Sequence, residues 1–260
     1  MSNDPVKAKI DKSVAVVSIN HPPGNSLSVK TLKIISKMMD NLSTDPEVKV
    51  IIISGTGKMF SAGADVKEIS LLKDRKNGMR YSSFGQGVMN RIESVGKPVI
   101  AAMNGMFCLG GGLELALAAH FRIAGDKLRL GLPEVVLGLI PGFGGTQRLA
   151  RLLGTARALE LILTGDRIPA KRAYEIGLVN MVVPEGEVLK RSRSLAKKLS
   201  GFSQIALRNA LYAVTEGRSL ALGAGLEMES RLFGSLCETY DKTEGLTAFF
   251  EKRDPQFKGR

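Results

Sequence analysis

The chain has no tryptophan and only 4 tyrosines and 10 phenylalanines among its 260 residues, so a base-stacking platform for nucleic acid is not indicated. Cysteine is equally scarce. Cys108 and Cys237 cannot build a disulfide framework, and their neighbours predict that both are buried, in a reducing compartment. The two histidines, His21 and His120, stand alone, with no Cys or Asp at ligand spacing, which argues against a zinc site and against a Ser-His-Asp triad. No apolar run approaches the roughly 18 residues that a membrane-crossing helix needs. The clusters Gly55-Thr56-Gly57 and Gly110-Gly111-Gly112 complete neither G-x-G-x-x-G nor a Walker A loop. Hydride transfer and nucleotide hydrolysis therefore lose their usual signatures. The opening "MSNDPVKAKI" lacks the basic-then-apolar pattern of a secretory leader, and "FKGR" is no peroxisomal tripeptide. Cytoplasm is the expected compartment, although a processed organellar protein would read the same.

Positive charge is plentiful. The formal charge is +12, a balance that favours phosphate-bearing or other anionic partners. The basic residues are scattered, with local groups at Lys190, Arg191, Arg193, Lys197 and Lys198 and at Lys252, Arg253, Lys258 and Arg260, and most of them are expected to be solvated surface. Lys30, Lys33 and Lys37 share one helix face; RNA contact is one reading of them and a solvated face the preferred one.

Along the chain, residues 6–20 alternate like a hairpin turning near Asp11 to Ser13, and Leu32, Ile35, Met39 and Leu42 recur at helical spacing. "VKVIIIS" (48–54) reads as a buried strand, two polar helical stretches fill roughly 65–95, and "KPVIAAMNG", "RIAG" and "LRLG" supply further strands. Helices dominate from Gly144, "VNMVV" (179–183) is the last strand expected, and amphipathic helices follow to about Lys252. The fold class is mixed α/β.

One residue does not suit its surroundings. In "LGGGLELALAA" (109–119), Glu114 sits in a helix with no polar face, and the positions three and four residues away hold no cation to pair with it. A carboxylate buried there must be protonated or find a hydrogen-bond donor elsewhere in the fold; a first-turn acid that only complements the helix dipole is the plainer reading. A second odd acid, Glu134, follows Pro133 in "LGLPEVVLGLIPGFGGTQ". Two acids in apolar surroundings can have their pKa values pushed apart, so that one donates a proton while the other accepts. The three glycines entering the helix expose free N–H groups at its positive end, a cradle for a developing oxyanion, and "FSAGAD" could supply a matching N–H. Such donors on a thioester or ester oxygen would stabilise an enolate.

These segments resemble the crotonase superfamily of acyl-coenzyme-A enzymes, most of all its enoyl-CoA hydratases. The resemblance runs nearly end to end through "GNSLS", "FSAGADVKE", "KPVIAAMNG", "LGGGLELALA", "LGLPEVVLGLIPGFGGTQRL", "ALELILTGDRI" and "AFFEKRDPQF". It implies a spiral of repeated β-β-α turns, with residues 1–195 as the acyl-CoA-binding catalytic core and 196–260 as a helical segment for trimerisation. It implies that Glu114 and Glu134 are the catalytic carboxylates holding a water over the substrate double bond. Ala64 and Gly111 would give the oxyanion-hole N–H groups, and Gly142 would help orient the water. Ala62, Asp65 and Lys67 would lie on the loop that receives the coenzyme, while Phe233, Phe249 and Lys252 would reach a neighbouring subunit's ligand. No cofactor is implied, since coenzyme A is part of the substrate; no membrane or nucleic-acid partner is implied either. The implied activity is reversible hydration of trans-2-enoyl-CoA in fatty-acid β-oxidation, by a homo-oligomer that is a trimer or a dimer of trimers. Alternatives within the superfamily are a Δ3,Δ2-enoyl-CoA isomerase, which needs only one of the acids, and a 3-hydroxyacyl-CoA dehydratase. An RNA-binding homologue is the alternative outside catalysis. Two departures stand out: His120 where Asp is frequent, and Phe143 where many hydratases have a small residue beside the acyl path, which predicts short-chain substrates.

Overall fold

The hydropathy alternation at the start of the chain becomes a hairpin. In the computed structural model, which describes residues 4–260, β1 (Val6–Asp11) and β2 (Val14–Ile19) pair antiparallel with Asp11 opposite Val14. The first three residues of the opening stretch lie outside the described residues. Lys12 takes the turn at φ +55°, the left-handed conformation that suits a two-residue hairpin loop. Ser28 then caps α1 (Val29–Thr44) by accepting a hydrogen bond from the Thr31 amide, and Leu32, Ile35, Met39 and Leu42 face the core as their spacing predicts. Lys30, Lys33 and Lys37 lie on the exposed side of this helix.

β3 (Val50–Gly55) is buried along its whole length. Ile51 and Ile53 enter the main core under α1, while Val50 and Ile52 enter a second core on the other face of the sheet. Burial on both faces is why the segment reads as a continuous apolar run and not as an alternation. The chain continues through α2 (Val66–Ser70), α3 (Arg75–Glu93), β4 (Val99–Met103), β5 (Phe107–Leu109), α4 (Gly111–Ala118), β6 (Phe121–Gly125) and β7 (Arg129–Gly131). A 3-10 turn, Pro133–Leu137, leads to α5 (Gly145–Leu153), α6 (Thr155–Thr164), β8 (Ile168–Pro169), α7 (Ala170–Glu175) and β9 (Met181–Val183). The helices α8 (Val188–Ser200), α9 (Gln204–Gly217), α10 (Leu222–Cys237) and α11 (Tyr240–Glu251) complete it.

Two sheets result. The larger runs β1-β2-β3-β4-β6-β9 and is parallel apart from its first pair; the smaller runs β5-β7-β8. The chain thus passes from a strand of the large sheet to one of the small sheet and then into a helix, as β4-β5-α4 and again as β6-β7-α5 by way of the 3-10 turn. This is the spiral of β-β-α turns that the family resemblance implies. β5 and β8, of three and two residues, are too short to leave a periodic signal in the sequence.

α8 packs Val188, Ala196 and Leu199 into the second core, so the boundary between residues 195 and 196 falls within a helix of the sheet layer. α9 and α10 bury no residue at all, and Leu222, Phe233, Phe249 and Phe250 are each at least 70% exposed. Cys108 is buried in β5, but Cys237, at the end of α10, is exposed, contrary to expectation, because that helix lies over no core. His120 is half-buried and satisfied: Nδ1 accepts from the Val99 amide and Nε2 meets the Glu93 carbonyl.

α3 packs through Gly85 against Phe143, and an added methyl there would overlap the Phe143 ring. Gly85→Ala is expected to destabilise by about 1–3 kcal/mol through overpacking, despite alanine's better helix propensity. Thermal unfolding checks this; an unchanged Tm would mean that the ring moves aside freely.

Candidate active site

Glu114 is 2% exposed on a helix buried along all eight of its residues. Its partners come from thirty residues downstream. The N–H groups of Phe143 and Gly145 both donate to Oε1, each at 2.7 Å. Gly145 is the first residue of α5, so its N–H is one that a helix start leaves without an internal acceptor. Glycine is needed there, because a Cβ would stand 2.9 Å from Glu114 Oε1. Gly144 makes the turn at φ +107°. Gly142 meets the site differently: its carbonyl accepts from Ser82 Oγ at 2.6 Å and Gln86 Nε2 at 3.1 Å.

Glu134 projects from the 3-10 turn toward the entry of α4, where a Cβ on Gly110 would be 3.0 Å from its Oε1. Its Oε2 is buried and has no partner among the described residues. Burial pushes the Glu134 carboxyl up to about 7. Burial, reinforced by the like charge of Glu134, pushes Glu114 up to about 8, while the Gly145 and Phe143 amides and the Arg148 cation oppose the rise. Near neutral pH the pair can therefore hold one proton between its members.

Two loops bring backbone donors to the same place. Ser61 Oγ donates to the Asn25 carbonyl, the Ala62 amide donates to the Gly24 carbonyl, and the Leu27 amide donates to the Gly63 carbonyl, each at 2.8 Å. Since N–H and C=O of a trans peptide point in opposite directions, fixing the Gly63 carbonyl on Leu27 turns the Ala64 N–H away from it. The Gly110 amide donates to the Gly131 carbonyl at 2.9 Å, which fixes the entry of α4. The Gly111 N–H lies at the first position of that helix, without an internal acceptor. A Cβ on Gly111 would sit 3.0 Å from the Ala64 nitrogen, so the two amides are close neighbours.

A cavity of about 510 Å³ joins these groups, lined among others by Ala64, Tyr81, Glu114, Glu134, Gly142 and Phe143. Tyr81 and Phe143 were not anticipated as neighbours: their rings lie 5.4 Å apart. The Tyr81 hydroxyl is buried without a partner among the described residues, and burial pushes its pKa up. Phe143 is 2% exposed and wedged against Gly85 and Gly111, so its ring is a packed wall of the cavity and not a free plug. The other residues implied by resemblance stand apart. Ala62 and Lys67 are exposed, and Asp65 caps α2 by accepting from the Lys67 amide. Phe233 and Phe249 are exposed on the helical tail, and none of them, nor Lys252, lines the cavity. Arg148 and the Phe143 amide carried no signal in the sequence; the glycines before α5 did mark a helix start that could receive an anion.

The family model described as Enoyl-CoA hydratase/isomerase matches residues 9–260. The chain is 46% identical to the probable enoyl-CoA hydratase of Bacillus subtilis (strain 168), over 98% of both chains. It is 42% identical to the short-chain-enoyl-CoA hydratase of Clostridium acetobutylicum, over 95% of both. The crystal structure of enoyl-CoA hydratase from Bacillus anthracis superposes with a TM-score of 0.94 at 40% identity, covering 98% of this chain and 100% of that one.

Glu114→Gln should keep the two amide bonds, because the amide oxygen can still accept them. The carboxyl binds its proton more tightly folded than unfolded, so the stability that Glu114 contributes to the wild type falls as pH rises from about 4.5 to about 8. The Tm of the variant relative to wild type should therefore climb across that window and level off above it. A difference that stays constant with pH would place the ionisation of Glu114 elsewhere.

Proposed function

The chain belongs to the enoyl-CoA hydratase/isomerase family, and we propose that it is an enoyl-CoA hydratase, a hydro-lyase adding water reversibly to trans-2-enoyl-CoA to give 3-hydroxyacyl-CoA. One observation carries this reading beyond family membership: a buried carboxyl and a half-buried one, both with raised proton affinity, face one cavity beside two close backbone N–H groups.

In this reading the thioester oxygen accepts hydrogen bonds from the Ala64 and Gly111 amides. Negative charge grows on that oxygen as water adds to C3, and dipoles already aimed there stabilise it without reorganising. In the less populated of the pair's two singly protonated forms, ionised Glu114 takes a proton from the water as its oxygen bonds to C3, and protonated Glu134 gives a proton to C2. The hydroxyl and the hydrogen then both reside on the acyl chain. One proton remains within the carboxyl pair, moved from Glu134 to Glu114, and its return completes the cycle. Dehydration is the same path reversed. The amides of Phe143 and Gly145 engage only Oε1 of Glu114, which leaves its second oxygen for the water. Gly142 bounds the cavity wall beside that water. Coenzyme A enters as part of the substrate, with Ala62, Asp65 and Lys67 along its approach, and no resident cofactor has a role in these steps.

The apolar side chains that α9, α10 and α11 expose support self-association through the tail, which the family resemblance makes a trimer or a dimer of trimers. In that assembly Phe233, Phe249 and Lys252 serve the substrate of a neighbouring copy. No described helix is long and apolar enough to cross a membrane. A place in fatty-acid β-oxidation, in the cytoplasm, fits this activity.

Crotonyl-CoA should lose its ultraviolet absorbance in the presence of the protein; a folded preparation inactive on every C4 to C10 enoyl-CoA would overturn the reading. Glu114→Gln and Glu134→Gln should each lower kcat by about 10²-fold or more with the fold intact. Because one carboxyl must be ionised and the other protonated, kcat/KM should be bell-shaped, with its maximum between about 7 and about 8. Lys252→Ala should raise KM for acyl-CoA more than it lowers kcat, and a substrate without the 3′-phosphate should show a smaller effect.

A further inference from the structure

Arg148, on α5, is buried and engaged on every side. Its Nε and Nη2 donate to Glu93 Oε2 at 3.0 and 2.9 Å, and Nη2 also donates to Asn90 Oδ1 at 2.6 Å. Nη1 donates to the Phe143 carbonyl at 3.4 Å. Gly144 rests on this guanidinium so closely that a Cβ there would overlap Nη1. The cation therefore braces the turn Phe143–Gly145 from one side, while the two N–H groups of that turn grip Glu114 from the other.

The bridge continues outward. Glu93 Oε1 accepts from Arg218 Nη2 at 2.6 Å, and Arg218 is the C-cap of α9 in the helical tail. At this end of α9 a cavity of about 420 Å³, walled by Leu152, Leu211 and Val214 and reached by Glu93, Arg148 and Arg218, lies between tail and core. Contact between the tail and the catalytic turn thus runs through ions more than through close packing.

We propose that Arg148 is a positioning residue for Glu114, and that the Arg148–Glu93–Arg218 bridge couples the setting of that carboxyl to the seating of the helical tail. The proposal rests on the reading of Glu114 as a catalytic group. Without the guanidinium, the Phe143 carbonyl loses its anchor and the glycine at 144 is free to turn, so the amides no longer fix Glu114 Oε1. Charge gives the bridge a second effect. The groups acting on Glu114 are Glu134 from the 3-10 turn, Arg148 from α5, and the amides of Phe143 and Gly145; Tyr81 from α3 also faces it, and the Glu114 charge opposes ionisation of that hydroxyl. Removing the Arg148 cation makes ionisation of Glu114 harder; removing the Glu93 charge leaves Arg148 uncompensated and makes it easier.

The test compares full-length wild type with Arg148→Gln, Glu93→Gln and Arg218→Gln, at a temperature where all are folded. Steady-state hydration of crotonyl-CoA is measured across pH, and the ionisation of Glu114 is followed by the carbon-13 shift of its labelled carboxyl. Arg148→Gln should lower kcat about tenfold with KM changed by less than about twofold, and should move the Glu114 ionisation to higher pH. Glu93→Gln should move it to lower pH. Arg218→Gln replaces a half-exposed side chain and should fold; it should lower kcat roughly twofold to fivefold and move the ionisation slightly upward. Lowered Tm values with unchanged kcat and unchanged Glu114 ionisation would overturn the proposal, as would shifts of the same sign for Arg148→Gln and Glu93→Gln. The carboxyl titration needs no turnover, so an inactive wild type would refute the hydratase reading separately, while the titration still decides the bridge.

Discussion

A carboxylate inside an apolar helix has to be reconciled with its desolvation, and much of the site's construction follows from how Glu114 meets that demand. The helix that carries it offers no partner, and the donors come from the turn before α5, two amides on one oxygen at 2.7 Å. Backbone donors lower the proton affinity that burial raises, but do not cancel it. A carboxyl balanced in this way can change protonation state near neutral pH, and it does so with its geometry fixed by peptide groups that do not titrate.

That arrangement needs backbone to come close to side chain and to other backbone, and the glycines of the site answer this need. At 111 and 145 a Cβ would stand 3.0 Å from the Ala64 nitrogen and 2.9 Å from Glu114 Oε1. The same close packing makes Phe143 a wall, held between Gly85 and Gly111, so any influence of this ring on acyl-chain length comes from the fixed shape of the cavity. The large sheet supplies the rigidity behind these loops: β3 and β4 are buried throughout, the loop after β3 leads to Ala64, and the chain after β4 passes through the short β5 to Gly111.

The outer part of the molecule follows a different logic. α9 and α10 have no fully buried residue, α9 packing Leu207 partly against the second core, and near the site the tail is tied to the body by the ion pair of Arg218 with Glu93. A helical segment with that much exposed apolar surface gains by covering it, and the tail is also where the resemblance places residues that serve another copy's substrate. Part of the basic excess falls here and part on α1, where Lys30, Lys33 and Lys37 are simply exposed.

The local elements were largely legible in the sequence because their signals are local. Alternation gave β1 and β2, 3.6-residue spacing gave α1, and the run of isoleucines gave β3. The strangeness of Glu114 and Glu134 was legible too, since an acid among leucines and valines is visible without coordinates. The strands β5 and β8 were not, being too short for any period. What only the tertiary structure decided is the partnering. The sequence could say that Glu114 lacked a neighbour on its own helix, but not that Phe143 and Gly145 would supply it, nor that Arg148, Glu93 and Arg218 would meet from three different helices. Hydrogen bonds and ion pairs between residues 31, 55 and 125 positions apart depend on how distant elements are set against each other, and no local pattern encodes that.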